Sequence, residues 1–298
     1  MQGNLFYGSG TALITPFKGT RVDYDALERL IDFQIDNEAD ALVVLGTTGE
    51  PSTITESERS AIIECAVARC ARRVPLLIGT GTNCTQSTVR YSLEAMRAGA
   101  DGLLVVTPYY NKTSACGLKE HYMTVADSVE IPVVIYNVPG RTGLNFPLEI
   151  LPDLIKHPML RGFKEACTDI RHAIRLFEYV DDQFFVYCGN DDMTLPMMAL
   201  GARGVITVAG NIIPDQMHAL TACWMRGDTN CARAIQASLQ PLLRALSNEV
   251  NPIPIKAAMS MMKLAENTLR APLAPLEDGP ANLLRRELRR LDLIPDDE

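Results

Sequence analysis

The segment Gly99-Ala-Asp-Gly-Leu-Leu-Val-Val106 contains the junction from which the fold of this chain is built. Gly99 suits the left-handed conformation that ends many helices. Residues 102–106 form a continuous apolar run, as expected for a strand that is buried on both faces. Related junctions recur at Glu38-Ala-Asp-Ala-Leu42 and Gly201-Ala-Arg-Gly-Val205. The chain is therefore predicted to repeat a unit in which a helix stops and a buried strand begins.

Similar apolar runs recur up to residue 208, at intervals of roughly 20 to 35 residues. Strand–helix alternation favours parallel pairing through right-handed crossovers, so these units predict a closed (β/α)8 TIM barrel of the α/β class. An open doubly wound sheet is the alternative, but no G-x-G-x-x-G follows the first strand. The predicted strands are 11–15, 41–45, 75–78, 102–106, 132–136, 160–164, 184–187 and 204–208.

Helical patterns lie between the predicted strands. Residues 24–37 place apolar side chains at the spacing of one helix face, and Thr55-Glu-Ser-Glu58 is a capping box that predicts a helix start.

After residue 228 no strand pattern remains. Segments 239–250, 255–266 and 282–291 predict three helices interrupted by prolines. We therefore divide the chain into a barrel, 1–228, and a C-terminal helical appendage, 229–298.

Composition excludes several classes of function. The net charge of −8 argues against binding to nucleic acid or to anionic membranes. No apolar run approaches the ~18 residues that span a bilayer, and Met1-Gln-Gly-Asn-Leu-Phe-Tyr7 does not resemble a signal peptide. The eight cysteines form no C-x-x-C pair, so we expect reduced thiols rather than a disulfide framework. These features indicate a cytoplasmic protein.

The most informative single residue is Lys164, near the end of the sixth predicted strand. On local sequence alone it could be a solvated cation paired with Glu165. In a barrel, however, the carboxyl ends of the strands carry the functional side chains, and a buried amine there can attack a carbonyl carbon. Hydroxyl groups, an arginine and glycine-rich loops follow the neighbouring strands. This set suits carbon–carbon chemistry on a small keto acid.

Other kinds of chemistry lack the residues they need. The four histidines (121, 157, 172 and 218) fall on predicted helices or helix ends, which places them away from the catalytic face, and no H-x-H or H-E-x-x-H occurs. Asp191 and Asp192 could bind a metal, but adjacent carboxylates on a loop more often cap the helix that follows them, and that is the role we expect. A P-loop motif is also absent. We therefore predict amine catalysis with no metal and no cofactor.

Several motifs occur in register along nearly the whole chain. They are Gly46-Thr-Thr-Gly-Glu50, Thr107-Pro-Tyr-Tyr-Asn111, Tyr136-Asn-Val-Pro-Gly-Arg-Thr-Gly143, Gly162-Phe-Lys-Glu-Ala166 and Asn251-Pro-Ile-Pro-Ile-Lys256. Together they resemble the dihydrodipicolinate synthase family, which lies within a wider group that also contains N-acetylneuraminate lyase. The resemblance implies a condensation of pyruvate with L-aspartate-4-semialdehyde that gives 4-hydroxy-tetrahydrodipicolinate in lysine and diaminopimelate biosynthesis.

The resemblance also implies roles for individual residues. Lys164 would form a Schiff base with pyruvate, and Tyr136 would be the general acid–base. Thr47 would link Tyr136 to Tyr110 in a proton relay, with Tyr110 supplied by a neighbouring subunit. The site would therefore need a homo-oligomer, either a dimer or a dimer of dimers. The implied substrate contacts are Thr48 for the pyruvate carboxylate, Arg141 for the aldehyde substrate, and the backbone carbonyls of Gly189 and Ile206.

Feedback-sensitive members of the family bind lysine in a cleft between subunits. By resemblance, Asn83 and Tyr109 match residues of that cleft. Ser87 replaces a glutamate, and Glu56 and Arg59 replace two histidines. We therefore expect weak or absent inhibition by L-lysine.

Two alternative functions remain open at the level of sequence. A sugar-acid lyase would share Lys164 and Tyr136 but would not need Arg141. A ligand-sensing barrel without activity would be expected to have lost one of Lys164, Tyr136 or Thr47, and all three are present.

Overall fold

Eight parallel strands close into a barrel in the computed structural model, which describes residues 5–295. The first strand pairs with both the second and the last barrel strands, so the sheet has no free edge. Two further short strands, Phe17–Lys18 and Arg21–Val22, form a separate antiparallel hairpin. The ten strands are β1 (Gly8–Ala12), β2 (Phe17–Lys18), β3 (Arg21–Val22), β4 (Ala41–Val44), β5 (Leu76–Gly79), β6 (Gly102–Val106), β7 (Val133–Asn137), β8 (Leu160–Glu165), β9 (Phe185–Cys188) and β10 (Gly204–Thr207).

Helices surround this barrel and continue beyond it. They are α1 (Tyr24–Asp36), α2 (Glu56–Cys70), α3 (Thr85–Ala98), α4 (Ala115–Asp127), α5 (Pro139–Thr142), α6 (Leu151–Leu154), α7 (Ile170–Leu176), α8 (Thr194–Leu200), α9 (Pro214–Met225), α10 (Thr229–Leu246), α11 (Ile253–Met261) and α12 (Asp278–Arg290). The predicted barrel with a helical C-terminus is confirmed. Within the described residues, no helix is long and apolar enough to cross a membrane.

The junctions read from the sequence have the expected geometry. Gly99 and Gly201 end α3 and α8 in the left-handed region, with φ of 105° and 116°. At the remaining junction, Glu38 also lies in the left-handed region, with a φ of 66°. The Thr55–Glu58 capping box is also present at the start of α2. Local sequence therefore fixes where these elements stop and start.

Most predicted strands coincide with observed strands to within one or two residues, and β6 matches its prediction at both ends. The prediction for the first strand, 11–15, is wrong because β1 begins at Gly8. Gly8 and Gly10 interrupt the apolar pattern, so the start of this strand cannot be recognised from hydrophobicity. The packing nevertheless requires glycine at position 10. A Cβ atom at Gly10 would lie 2.7 Å from the ring of Phe6.

Side chains on alternating positions of the strands form two separate apolar clusters. The outer cluster lies between the strands and the helices and includes Val133, Ile135 and Phe163. The inner cluster fills the barrel and consists of Phe6, Ala12, Ala41, Val43, Leu77, Leu104, Val134, Tyr136, Val138, Phe185, Tyr187 and Ile206. Tyr136 therefore points inward, while its neighbour on each side points outward.

The C-terminal helices start earlier than the sequence indicates. Helix α10 begins at Thr229 rather than at 239, and Asp228 caps it by accepting a hydrogen bond from Cys231 N at 3.0 Å. Its first half buries Ala232 and Gln236, which are too small or too polar to mark a helix face. The predictions 255–266 and 282–291 correspond to α11 and α12, whose bounds differ by one to five residues.

The expectation that all cysteines are reduced is wrong for one pair. Cys223 and Cys231 form a disulfide between the end of α9 and the first turn of α10. The two helices pack against each other and bring the Cα atoms within 6.0 Å, a proximity that spacing along the chain does not reveal. The other six cysteines are unpaired.

His121 on α4 provides a test of the packing of the barrel. Its ring is buried, and Nδ1 lies 2.9 Å from Thr85 Oγ1. Burial lowers the pKa of His121 to about 4, whereas an unfolded histidine titrates near 6.5. The unfolded state therefore binds more protons than the folded state between these values. Stability that is present above pH 6.5 should fall as the pH is lowered toward 4.

We predict that this one group removes about 2–3 kcal/mol of unfolding free energy between pH 7 and pH 4. In a His121→Leu variant the loss over this range should be smaller by that amount, because no proton has to be excluded from the site. Urea unfolding at both pH values measures the difference. An identical pH dependence in the two proteins would contradict the prediction.

Candidate active site

Six of the eight catalytic and substrate-binding residues predicted from the sequence line one cavity at the carboxyl ends of the barrel strands. The cavity has a volume of about 290 Å³. Its walls include Thr47, Thr48, Tyr136, Arg141, Lys164 and Gly189. An adjoining cavity of about 310 Å³ shares Thr47, Tyr136 and Arg141 and extends to Tyr109. The structure thus gathers into one place residues that lie far apart in sequence.

Lys164 and Tyr136 occupy paired positions on neighbouring strands, β8 and β7. Both side chains are turned toward the barrel interior. Lys164 is only 5% exposed, and its Nζ lies 4.4 Å from the centroid of the Tyr136 ring. The interpretation of Lys164 as a solvated cation paired with Glu165 is therefore wrong. Successive residues on a strand face opposite sides, and Glu165 turns outward.

The loop Gly46-Thr-Thr-Gly-Glu50 forms a 3₁₀ turn at the mouth of this cavity. Asn251, which follows α10, holds the turn from the other side. Its Nδ2 donates to Thr48 Oγ1 at 3.0 Å, and its backbone oxygen accepts from Arg141 Nη2 at 2.7 Å. Asn251 thus connects two predicted substrate-binding residues. This role is not evident from the sequence, although Asn251 opens the motif Asn251-Pro-Ile-Pro-Ile-Lys256.

A buried ion pair anchors the same loop. Glu50 contacts the ammonium group of Lys256 on α11, and the two side chains have exposures of 2% and 0%. The Lys256 Nζ also lies 4.0 Å from the centroid of the Phe17 ring and donates to Thr268 O at 2.9 Å. Burial lowers the pKa of Lys256 to about 8, although the charge of Glu50 opposes this shift. The pair fixes the end of the turn to the C-terminal helices.

The prediction that Asp191 caps the following helix is wrong. Asp191 Oδ2 instead accepts hydrogen bonds from Val208 N at 3.1 Å and Ala209 N at 2.8 Å, beyond the end of β10. The side chain therefore joins the ends of two neighbouring strands and lines the cavity. Burial raises the pKa of Asp191, while these amide hydrogen bonds and the charge of Lys164 act in the opposite direction.

The two remaining predicted residues, Ile206 and Tyr110, do not line this cavity. Ile206 is fully buried in the inner cluster on β10. Tyr110 is 93% exposed, with a φ of 70°, in the loop after β6. An aromatic side chain held in solvent in this way is unusual, because it gives up the free energy gained by burying its ring. Tyr110 therefore does not complete the cavity of its own chain.

The prediction that the histidines lie away from the catalytic face is wrong for His172. Helix α7 follows β8 directly and places His172 Nδ1 3.0 Å from Glu165 Oε2, next to Lys164 in sequence. The side chains of Glu165, Cys167 and His172 bring their nitrogen, sulfur and oxygen atoms within 4.8 Å of one another. No local spacing rule covers this group, because it forms only when the helix folds back on the strand.

Comparison with known proteins gives the family. The profile of the Dihydrodipicolinate synthetase family matches residues 5–291. This chain belongs to that family. The match includes the barrel, the cavity and all three C-terminal helices.

Several family members are similar over almost their full length. The 4-hydroxy-tetrahydrodipicolinate synthase of Alkaliphilus oremlandii is 43% identical, over 97% of this chain and 100% of its own. The crystal structure of dihydrodipicolinate synthase from Thermotoga maritima is 39% identical, with a TM-score of 0.96 over 98% and 100% of the two chains. The structure of the Cyanidioschyzon merolae protein with lysine bound is 32% identical, with a TM-score of 0.94 over 97% and 99%.

Two of the residues expected to form a regulatory cleft, Glu56 and Arg59, contact other residues of the same chain. Glu56 forms an exposed ion pair with Arg90, at 2.5 Å. Arg59 is buried, lies 4.2 Å above the Tyr91 ring and donates to Gly79 O at 3.0 Å.

Ser87, Asn83 and Tyr109 lie on the same side of the barrel, in or beside the loops after β5 and β6. The Asn83 backbone oxygen accepts from Asn111 Nδ2 at 2.9 Å, which ties these two loops together.

We predict that Lys256→Met lowers the unfolding free energy by about 3–5 kcal/mol, because it leaves Glu50 as an unpaired buried charge. Activity should also fall, since Glu50 ends the turn that carries Thr47 and Thr48. Lys119→Met is the matched control. It breaks an exposed pair with Asp153 and should cost less than about 1 kcal/mol. Equal losses in the two variants, measured by urea unfolding, would contradict the anchoring role of Lys256.

Proposed function

We propose that this chain catalyses the condensation of pyruvate with L-aspartate-4-semialdehyde to 4-hydroxy-tetrahydrodipicolinate, a step of lysine and diaminopimelate biosynthesis. The observation that carries the proposal is the buried Lys164 amine, which shares one cavity with Tyr136, Thr47, Thr48 and Arg141. The names of the curated relatives agree with it.

The amine supplies the nucleophile. Lys164 Nζ attacks the keto carbon of pyruvate, and loss of water gives an imine. Removal of a proton from the pyruvate methyl group then gives an enamine, whose carbon attacks the aldehyde carbon of the second substrate. The aldehyde oxygen takes up a proton as the bond forms. Attack of the substrate's own amine on the imine carbon closes the ring and releases Lys164.

We assign these proton transfers to Tyr136; the position of its ring beside the Lys164 amine supports this assignment. We assign Thr47 to the relay that leads from Tyr136 toward Tyr110. The turn that carries Thr47 is held in place by Asn251 and by the Glu50–Lys256 pair.

The carboxylates of the two substrates need separate partners. We assign Thr48 and the neighbouring amides to pyruvate, and Arg141 to the aldehyde substrate. A guanidinium has five donors in a planar fork, and the bond to Asn251 O uses one of them. We assign the backbone carbonyls of Gly189 and Ile206 to the remaining wall. The position of Arg141 at the cavity favours this substrate over a neutral sugar chain, which a sugar-acid lyase would accept.

Borohydride trapping tests the mechanism. We predict that pyruvate and borohydride together inactivate the enzyme and label Lys164, because hydride reduces an imine to a stable amine. Peptide mapping by mass spectrometry locates the label. Lys164→Arg should fold and remain unlabelled. Label on another lysine, or none at all, would exclude a Schiff base at Lys164.

We further propose that the active form is a homo-oligomer. Tyr110 is exposed in the single chain, which suits a side chain that completes a neighbouring subunit's cavity. Two further exposed apolar residues, Ile170 and Ile174, lie one turn apart on α7. They suit a second contact between subunits, as in a dimer of dimers. We also propose a cytoplasmic location, because six of the eight cysteines are unpaired thiols, which suits a reducing compartment; the Cys223–Cys231 disulfide is the one exception.

A mixing experiment tests the role of Tyr110. Tyr110→Phe should lower turnover by about 100-fold, as expected for a lost proton-transfer group. Co-assembly with Lys164→Ala subunits should restore part of the activity, because a mixed dimer contains one site with both residues. If verified mixed dimers stay as inactive as their parents, Tyr110 does not act across the interface.

Regulation gives a further prediction. L-lysine should inhibit weakly or not at all, because Ser87 supplies no anion for its ammonium group and Glu56 is already paired with Arg90. A lost charge-assisted contact corresponds to roughly 1.5–3 kcal/mol, or about 10- to 100-fold in affinity. Initial rates across a lysine titration measure the effect. Inhibition below about 1 mM, a binding free energy of roughly −4 kcal/mol, would contradict the prediction.

A further inference from the structure

The polar network behind Lys164 has no part in the reaction described above. It lies on the outer side of the barrel wall, between β7, β8 and α7. Its centre is the carboxylate of Glu165, whose side chain has 0% exposure. Three nitrogen atoms surround it: Cys167 N at 2.6 Å and Asn137 Nδ2 at 2.9 Å donate to Oε1, and His172 Nδ1 lies 3.0 Å from Oε2.

Hydrogen-bond geometry determines how many protons the His172 ring carries. Its Nε2 lies 2.9 Å from the backbone oxygen of Phe146, which can only accept, so Nε2 carries a proton. Nδ1 faces a carboxylate that already receives two other donors, and such donors favour the ionised carboxylate. The proton in the contact between Nδ1 and Glu165 Oε2 therefore sits on Nδ1. With a proton on each ring nitrogen, the His172 ring is an imidazolium. This cation balances the buried charge of Glu165.

The pKa of His172 agrees with this geometry. Burial alone would lower the pKa, but the hydrogen bonds to Glu165 and Phe146 O, together with the charges of Glu165 and Asp169, raise it above its ordinary value.

The network touches the active site through the backbone. Asn137 follows Tyr136 directly, and Glu165 follows Lys164 directly. The backbone oxygen of Glu165 also accepts from Gly189 N at 2.7 Å. This close approach requires glycine at position 189, because a Cβ atom there would lie 2.9 Å from the same oxygen. Three positions of the proposed site are therefore each a member of the network or next to one.

We propose that His172 is a positioning residue, whose imidazolium holds Glu165 and thereby fixes the strand ends that carry Tyr136, Lys164 and Gly189. This inference rests on the proposed function, because it assigns His172 a role in bringing the Lys164 amine to pyruvate. Loss of His172 leaves a buried carboxylate with two donors and no counter-charge. The loop from Glu165 to Cys167 then has to shift toward solvent, and the Lys164 amine moves with it.

The test compares His172→Leu with His157→Leu. His157 is a good control because its Nε2 also lies 3.0 Å from a carboxylate, that of Asp127, but it precedes β8 at the opposite end of the barrel. Three quantities are measured for each protein: the rate of borohydride-trapped labelling of Lys164, kcat with the KM for pyruvate, and the thermal midpoint.

His172→Leu should lower the labelling rate and kcat by about 10- to 100-fold per folded subunit, as misplacement of a reacting group does. His157→Leu should stay within about twofold of the unmodified enzyme, because it touches no group of the site. A purely structural role would lower the thermal midpoint of His172→Leu and leave the labelling rate of the folded subunits unchanged, and that result would overturn the proposal.

The outcomes separate this inference from the proposed function. If the unmodified enzyme is not labelled at Lys164, the proposed function fails. If the unmodified enzyme is labelled and His172→Leu is labelled at the same rate, only the positioning role fails.

A second measurement applies if His172→Leu does not fold. Nuclear magnetic resonance of the unmodified enzyme with ¹⁵N-labelled histidine at pH 7.5 should show a ring with two N–H protons. That signal should disappear in His172→Gln. A singly protonated His172 ring would overturn the proposal without any assay of activity.

Discussion

The buried contact between Glu50 and Lys256 is the constraint on which the cavity depends most directly. Removing two charges from water costs several kcal/mol for each ion, and only close contact with additional polar partners offsets that cost. Here the Phe17 ring, the Thr268 carbonyl and Arg270 N, which donates to Glu50 Oε2 at 3.1 Å, provide those partners. The pair therefore holds the turn in one position, because either ion without the other would be an unpaired buried charge. The turn with Thr47 and Thr48 cannot move without exposing or isolating a charge.

The helices beyond the last strand contribute to the cavity in a second way, because they form part of its wall. The cavity wall includes Leu243, Leu246 and Ser247 near the end of α10, and then Asn251. A barrel that ended after α9 would have the amine and the tyrosine but would lack this wall and the link between Thr48 and Arg141. The helical C-terminus is thus part of the site. Its separation from the barrel at residues 228 and 229 stays a prediction.

The sequence predicted the features that depend on local rules. Seven of the eight strand positions, the Thr55–Glu58 capping box and the glycine caps follow from periodicity and backbone conformation, and these are present. The first strand is the exception, because its glycines interrupt the apolar pattern. The gathering of Lys164 and Tyr136 followed from the rule that strand ends meet at one face. Three features could not be predicted in this way: the early start of α10, the Cys223–Cys231 disulfide and the contact of His172 with Glu165. Each depends on how one element packs on another.

Strand alternation gives these observations a common physical basis. At the end of β7 and of β8, an inward residue that performs chemistry is followed by an outward polar residue, Asn137 after Tyr136 and Glu165 after Lys164. An inward side chain in a cavity must stay accessible to substrate, so few contacts can hold it. The outward neighbour has no such restriction and can be fully bonded, as Asn137 is to Phe146 N, Asn145 and Glu165. A barrel wall can therefore keep the reacting groups open on one side while it fixes their backbone from the other.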